Sequence, residues 1–193
     1  MKTHSLILAA FLSSAAMPLA YAETAAPTPV EAVEPAEKAV AAMAAETSTA
    51  YANEVAIANM YEIEAANVAW ERSTSEDVKA FAKMIIADHT ANAAKLKVLV
   101  DQAQGDLPDS LDKTHEGMID ALKNADDATF NATYLAQQVD AHTKALELHK
   151  AFAKSGDREE FKAFATESAK TVEAHLEQAK ALSGGETAPH KMN

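Results

Sequence analysis

The positions Val78, Ala82, Ile85, His89, Asn92, Leu96 and Leu99 step by four and three residues, the spacing of a helix face packed against other helices. Adding 83 to each number gives Phe161, Ala165, Ser168, Val172, His175, Ala179 and Leu182, so the stripe recurs and again carries a histidine well inside it. Lys79-Ala80-Phe81-Ala82 returns letter for letter as Lys162-Ala163-Phe164-Ala165. The same shift carries an earlier stripe, Tyr51, Val55, Ala58, Glu62, Ala65, Ala69, onto Tyr134, Gln138, Ala141, Ala145, Leu148, Phe152. A helical hairpin used twice predicts an all-α, four-helix bundle, whose helices of about 22 to 28 residues would span roughly 33 to 42 Å.

The connections agree with that reading. Thr47 or Ser48 can cap the first helix, Ser73 with Glu76 offers a capping box at the first turn, and Asp157 with Glu160 offers one at the second. Gly105 is expected to end the second helix, and Leu107-Pro108-Asp109-Ser110 to open a short extra helix with Leu111, Met118, Ile119 and Leu122 on one side. This linker is too long for a tight turn and suits a crossover along the bundle, leaving the second and third long helices parallel in a ferritin-like arrangement.

Outside residues 47–182, the expected bundle domain, the chain changes character. Lys2, the apolar run Leu6 to Leu12, and Ala20-Tyr21-Ala22 before Glu23 read as an export signal over residues 1–22. Residues 23–46, rich in Pro, Ala and Glu, read as a flexible tether, and residues 183–193 as a disordered tail. Removing residues 1–22 takes away one lysine and no acid, which moves the net charge from −12 to −13 and argues against binding nucleic acid through bulk charge. Cysteine is absent, so disulfides and thiolate sites are excluded. No second apolar run reaches the roughly 20 residues of a membrane span. The expectation is an exported, periplasmic protein.

Glu62, His89, Asn92 and His175 interrupt apolar stripes, and His142 sits beside the stripe position Ala141. A buried carboxylate or imidazole is costly unless paired, hydrogen-bonded or metal-bound. Counted from the hairpin turns, Glu62, His89, His142 and His175 all fall roughly 18 to 28 Å along their helices, near mid-bundle. Three imidazoles and a carboxylate suit one transition-metal ion such as zinc, copper, iron or manganese, with Asn59 and Asn92 supporting from behind. A hydrogen-bonded Glu/His/Asn network that only fixes helix register is the alternative, and spacing leaves both open. Asp88, Asp140 and Glu173 are turned away from the stripes and are candidates for flanking partners. His149 reads as a boundary residue, His115 as exposed, and Trp70 as gathering with Phe81, Phe152, Phe161 and Phe164 at the hairpin ends. No glycine-rich phosphate loop, nucleophile elbow or HExxH motif is present, and nothing supports an enzymatic activity.

Asn59-Met60-Tyr61-Glu62-Ile63, Val78-Lys79-Ala80-Phe81-Ala82, Asp88-His89-Thr90-Ala91-Asn92, Leu107-Pro108, the stretch from Phe130 to Leu135, His142 and His175-Leu176 together resemble the ferritin-like "domain of unknown function 4142" family of exported bacterial proteins. The resemblance covers about Thr47 to Leu182. It implies a ferritin-like bundle in the cell envelope, often labelled a membrane protein, with Glu62, His89, Asn92, His142 and His175 as its polar positions. Di-iron relatives use Glu-x-x-His on two helices. Here Ile86 and Val172 stand three residues before His89 and His175, which removes those carboxylates and argues against di-iron chemistry while leaving a single-metal site. Two functions remain open: metal binding at this centre, or a stress-related structural or interaction protein with an envelope protein partner.

Overall fold

The computed structural model describes residues 47–186, which form five α-helices and no strand. They are α1 (Ser48–Arg72), α2 (Glu76–Gln102), α3 (Lys113–Asn124), α4 (Asp127–Ser155) and α5 (Glu159–Glu186). The expected export signal and tether, and His190, lie outside the described residues. The last helix runs through Ser183 and Gly184 to Glu186, past the boundary expected at Leu182.

The long helices make a bundle. α1 pairs most extensively with α2 and α4 with α5, and the pairs meet through α1 against α4 and α2 against α5. One apolar cluster joins the end of α1 (Ala65, Ala69), the start of α2 (Val78, Phe81), the start of α4 (Phe130, Tyr134) and Ala179 late in α5, with Ile119 and Leu122 of α3. A second joins the opposite ends of the same helices through Tyr51, Leu96, Phe152 and Phe161. The two hairpin turns therefore lie at opposite ends, and a polar layer separates the two apolar clusters.

Each helix end shows where its free backbone groups go. Thr47 caps α1 by accepting from the Ala50 amide. Ser75, not Ser73, caps α2, because α1 continues to Arg72 and Ser73 is occupied by the Ser75 amide and the Asn131 side chain. Asp157 also departs from expectation: its carboxylate reaches across the bundle to accept from the amide and hydroxyl of Ser48, capping α1 instead of α5. Asp112 caps α3, so the short helix starts at Lys113, later than the sequence suggested. α2 ends at Gln102, ahead of the end expected at Gly105, and the left-handed residue that follows it is Gln104 (φ 57°). The Arg72 guanidinium donates to the carbonyls of Leu122, Lys123 and Ala125 and to the Asp127 carboxylate, and lies 4.6 Å above the Phe130 ring. It thereby holds the close of α3 and the opening of α4 against the end of α1.

Two aromatic expectations change. Trp70 is 38% exposed, its ring covered by the Lys83 ammonium at 3.9 Å, and takes no part in either apolar cluster. His149 is no boundary residue: it is buried, with Nδ1 2.8 Å from the Tyr51 hydroxyl, while Tyr51 stacks on Phe152 at 4.0 Å.

Gly156 closes α4 where a Cβ would stand 2.5 Å from the Phe152 ring and 2.8 Å from its carbonyl oxygen. Phe152 is fully buried and cannot swing aside. Gly156→Ala is expected to destabilise the fold by about 1–3 kcal/mol through this overlap, read by urea denaturation.

Candidate metal centre

The polar layer is built from side chains one helix cannot satisfy alone. His89 on α2, His142 on α4 and His175 on α5 are all buried, with ring centroids 5.3 to 5.5 Å apart. One nitrogen from each ring lies within 4.8 Å of those from the other two.

The outward nitrogens decide what the inward ones can do. Asn59 donates to Asn92, which donates to Ser168, so the Asn59 carbonyl oxygen is left to accept from His89 Nδ1 at 2.9 Å. His142 Nδ1 donates to the Gln138 carbonyl at 3.0 Å. His175 Nε2 donates to Asp88 at 3.0 Å. With one proton per neutral ring spent outward, His89 Nε2, His142 Nε2 and His175 Nδ1 carry bare lone pairs. His142 Nε2 and His175 Nδ1 face each other at 3.3 Å, and His89 Nε2 is buried with no partner.

Burial keeps the rings unprotonated. It pulls His142 down to about 3, helped by the neighbouring His175 imidazole and opposed by the Gln138 carbonyl. His89 is driven well below its ordinary value by burial and then by the surrounding imidazoles. Burial also lowers His175, against the pull of the Asp88 carboxylate.

Facing lone pairs repel, and an orphaned buried nitrogen is unfavourable by about 1–3 kcal/mol; a cation among them removes both penalties. An ion bound to imidazole at roughly 2.0–2.1 Å holds its nitrogens roughly 3.3–3.6 Å apart, a spacing the His142–His175 pair already has. The donor set fits a metal of the copper or zinc type.

Glu62 is brought to the same layer but not to the same point. Its carboxylate accepts from Gln138 at 2.7 Å and lies 3.5 Å from His142 Nδ1, the nitrogen turned away from the other rings. Burial raises it to about 8, the Gln138 contact opposing. The structure thus groups three of the four expected ligand residues and sets Glu62 behind His142. Asn59 stands behind His89, and Asn92 holds Asn59 in turn. Gln138, Asp88 and Ser168 complete the support. Asp88 serves the histidine of α5, not its sequence neighbour His89, a pairing no local spacing reveals.

On α4 the buried face runs Tyr134, Gln138, His142, His149, Phe152, so Ala141, Ala145 and Leu148 are only partly buried. These three help line a cavity of about 370 Å³ that reaches His89 and His142. His115, expected to be exposed, is partly covered and lies at the same cavity, 5.2 Å from the Tyr61 ring.

The model of the family described as "Domain of unknown function (DUF4142)" matches residues 33–182. The chain belongs to this family. The match begins ahead of the expected domain boundary at residue 47, in a stretch outside the described residues. The chain has no match among curated proteins. Among solved structures, the DUF4142 chain is similar to "CopM in the Cu(II)-bound form", at 19% identity and a TM-score of 0.63, covering 72% of this chain and 97% of that one. It is similar also to CopM in an Ag-bound form, at 18% identity and a TM-score of 0.63, covering 74% and 98%. At such identity these likenesses establish a shared helical-bundle fold. No helix among the described residues is long and apolar enough to cross a membrane.

Depressed imidazole pKa values have a fixed sign. His149 is held at about 4 by burial, so its contribution is present above the ordinary value near 6.5 and is lost as pH falls toward 4. His89, His142 and His175 act in the same direction, and Glu62 in the opposite one, favouring the fold as pH falls below 8. Urea midpoints of metal-free protein are expected to drop between pH 6.5 and 4. His149→Gln should lessen that drop by up to about 3 kcal/mol.

Proposed function

We propose that this DUF4142 protein binds one copper-type ion through His89, His142 and His175 at the middle of a ferritin-like bundle outside the cytoplasm. The observation that carries the reading is the convergence of three neutral imidazoles whose remaining protons are all engaged outward. Imidazole donors suit copper, and Cu(II) heads the affinity order for such sites. That one protein of the same fold, CopM, is described in Cu(II)-bound, Cu(I)-bound and Ag-bound forms supports the choice.

Asn59, Gln138 and Asp88 orient the rings, and Glu62 stands behind His142 as a buried acid 3.5 Å from its Nδ1. The bound ion would supply a Lewis-acidic, redox-capable centre. The hairpin turns at opposite ends support a ferritin-like crossover, in which α2 and α4 run in the same direction and α3 lies in the return path. Residues 1–22 support export to the periplasm.

Protein purified without chelator or affinity tag should hold about one copper per chain and melt at higher temperature with the ion than without it. His89→Ala should lose the ion, and Asp88→Ala should weaken binding about 10- to 100-fold by freeing the His175 ring. Equal, near-zero copper in wild type and His89→Ala would leave the layer as a register-fixing network, the role to which the Asn59–Asn92–Ser168 chain across α1, α2 and α5 is suited.

A further inference from the structure

Of the three rings at the centre, two have their protons fixed and one does not. His142 Nδ1 faces the backbone carbonyl of Gln138 at 3.0 Å, and His175 Nε2 faces the Asp88 carboxylate at 3.0 Å. A carbonyl and a carboxylate only accept, so both rings must donate outward. Glu62, 3.5 Å from His142 Nδ1, is too far to donate to it. His89 Nδ1 instead meets a side-chain amide, that of Asn59, at 2.9 Å. An amide turned by 180° presents nitrogen where it presented oxygen, and then donates to the ring in place of accepting from it.

Whether Asn59 can turn depends on what holds its other end. Its amide nitrogen donates to the Asn92 oxygen at 3.0 Å, and the Asn92 amide donates to the Ser168 hydroxyl at 2.7 Å. Asn59 and Ser168 are both buried, so each must find its partners within the protein. Every member of this relay can act in either direction. If Ser168 donates to Asn92, Asn92 to Asn59 and Asn59 to His89, all three contacts remain made at the same atomic positions, and no helix moves. Reversal places the His89 proton on Nε2, the nitrogen that is buried without a partner. In the sense the structure holds, the centre gathers three acceptors and no donor. In the reverse sense an N–H stands beside two bare lone pairs, one nitrogen of each ring lying within 4.8 Å of the others. A cation requires the first sense, and a centre without one is better satisfied by the second.

Resting on the copper reading above, we infer that Asn59 is a positioning residue that selects the tautomer of His89, and that the relay through Asn92 and Ser168 reverses when the ion enters. Without the ion the donations run from Ser168 toward His89, whose proton sits on Nε2. With it they run from His89 toward Ser168, and Nε2 binds. His89 gives up a proton at Nε2 and takes one at Nδ1, so the ring stays neutral and its proton count is unchanged.

Bare and protonated ring nitrogens resonate apart, so NMR of isotope-labelled histidines reads the tautomers at neutral pH, in metal-free protein and with Cu(I) as the diamagnetic probe. His89 is expected to carry its proton on Nε2 without the ion and on Nδ1 with it, while His142 and His175 keep theirs on Nδ1 and Nε2 throughout. Asn92→Asp can only accept, from Asn59 and from Ser168, so it pins the relay in its metal-bound sense. Metal-free Asn92→Asp protein should already show the His89 proton on Nδ1. Asn59→Leu, similar in size and without polar atoms, should keep that proton on Nε2 and weaken Cu(I) binding about 10- to 100-fold. A proton on His89 Nδ1 in metal-free wild type, a His89 tautomer unchanged by Cu(I), or a proton on Nε2 in metal-free Asn92→Asp would each overturn the inference. Wild-type protein that takes up no Cu(I) would instead overturn the metal reading beneath it, and the tautomers of metal-free wild type and Asn92→Asp would still decide the relay.

Discussion

Desolvation of the imidazoles sets the terms for the whole centre. Rings this close and this deep cannot share extra protons, since a charged ring would be stripped of water beside its neighbours. Each therefore stays neutral, with one N–H and one lone pair, and the fold decides which faces in. It does so with acceptors from three sources: a side-chain amide on α1, a backbone carbonyl on α4 itself, and a half-exposed carboxylate on α2. Helix packing above and below the layer is what lets so few hydrogen bonds hold the rings, because the apolar clusters at the two ends fix how the helices are rotated.

The helices were legible in the sequence because a four-and-three stripe that returns after 83 residues matches the period of a helix face and of no strand or loop. The ends were less so. Ser73 and Ser75 satisfy the same capping rule, and only the length of α1 decides between them, while Asp157 found a better-placed pair of donors in Ser48, far away in sequence. The depth of the polar layer could also be counted from the turns, and His89, His142 and His175 do meet. Rotation about each helix axis could not be counted as well. On α4 the apolar letters Ala141, Ala145 and Leu148 suggested the buried face, but alanine is nearly indifferent to burial, and the bulkier Tyr134, His142, His149 and Phe152 set the phase. That rotation buries His149 against Tyr51 and leaves the alanines to line open space. Glu62 is buried, as its place in an apolar stripe implies; which edge of His142 it meets depends on ring orientation, which spacing does not carry.

The internal repeat has one more implication. Under the 83-residue shift Asn59 falls on His142, His89 on Val172 and Asn92 on His175. Where one half carries an amide, the other carries a ring, and His89 has no counterpart at all. Two identical hairpins associating as a symmetric pair could not make this centre, since they would present either each of these groups twice or none. Joining the hairpins in one polypeptide allows the copies to differ, one ring coming from the first and two from the second, so that an odd number of nitrogens can gather where pseudo-symmetry alone would dictate an even one.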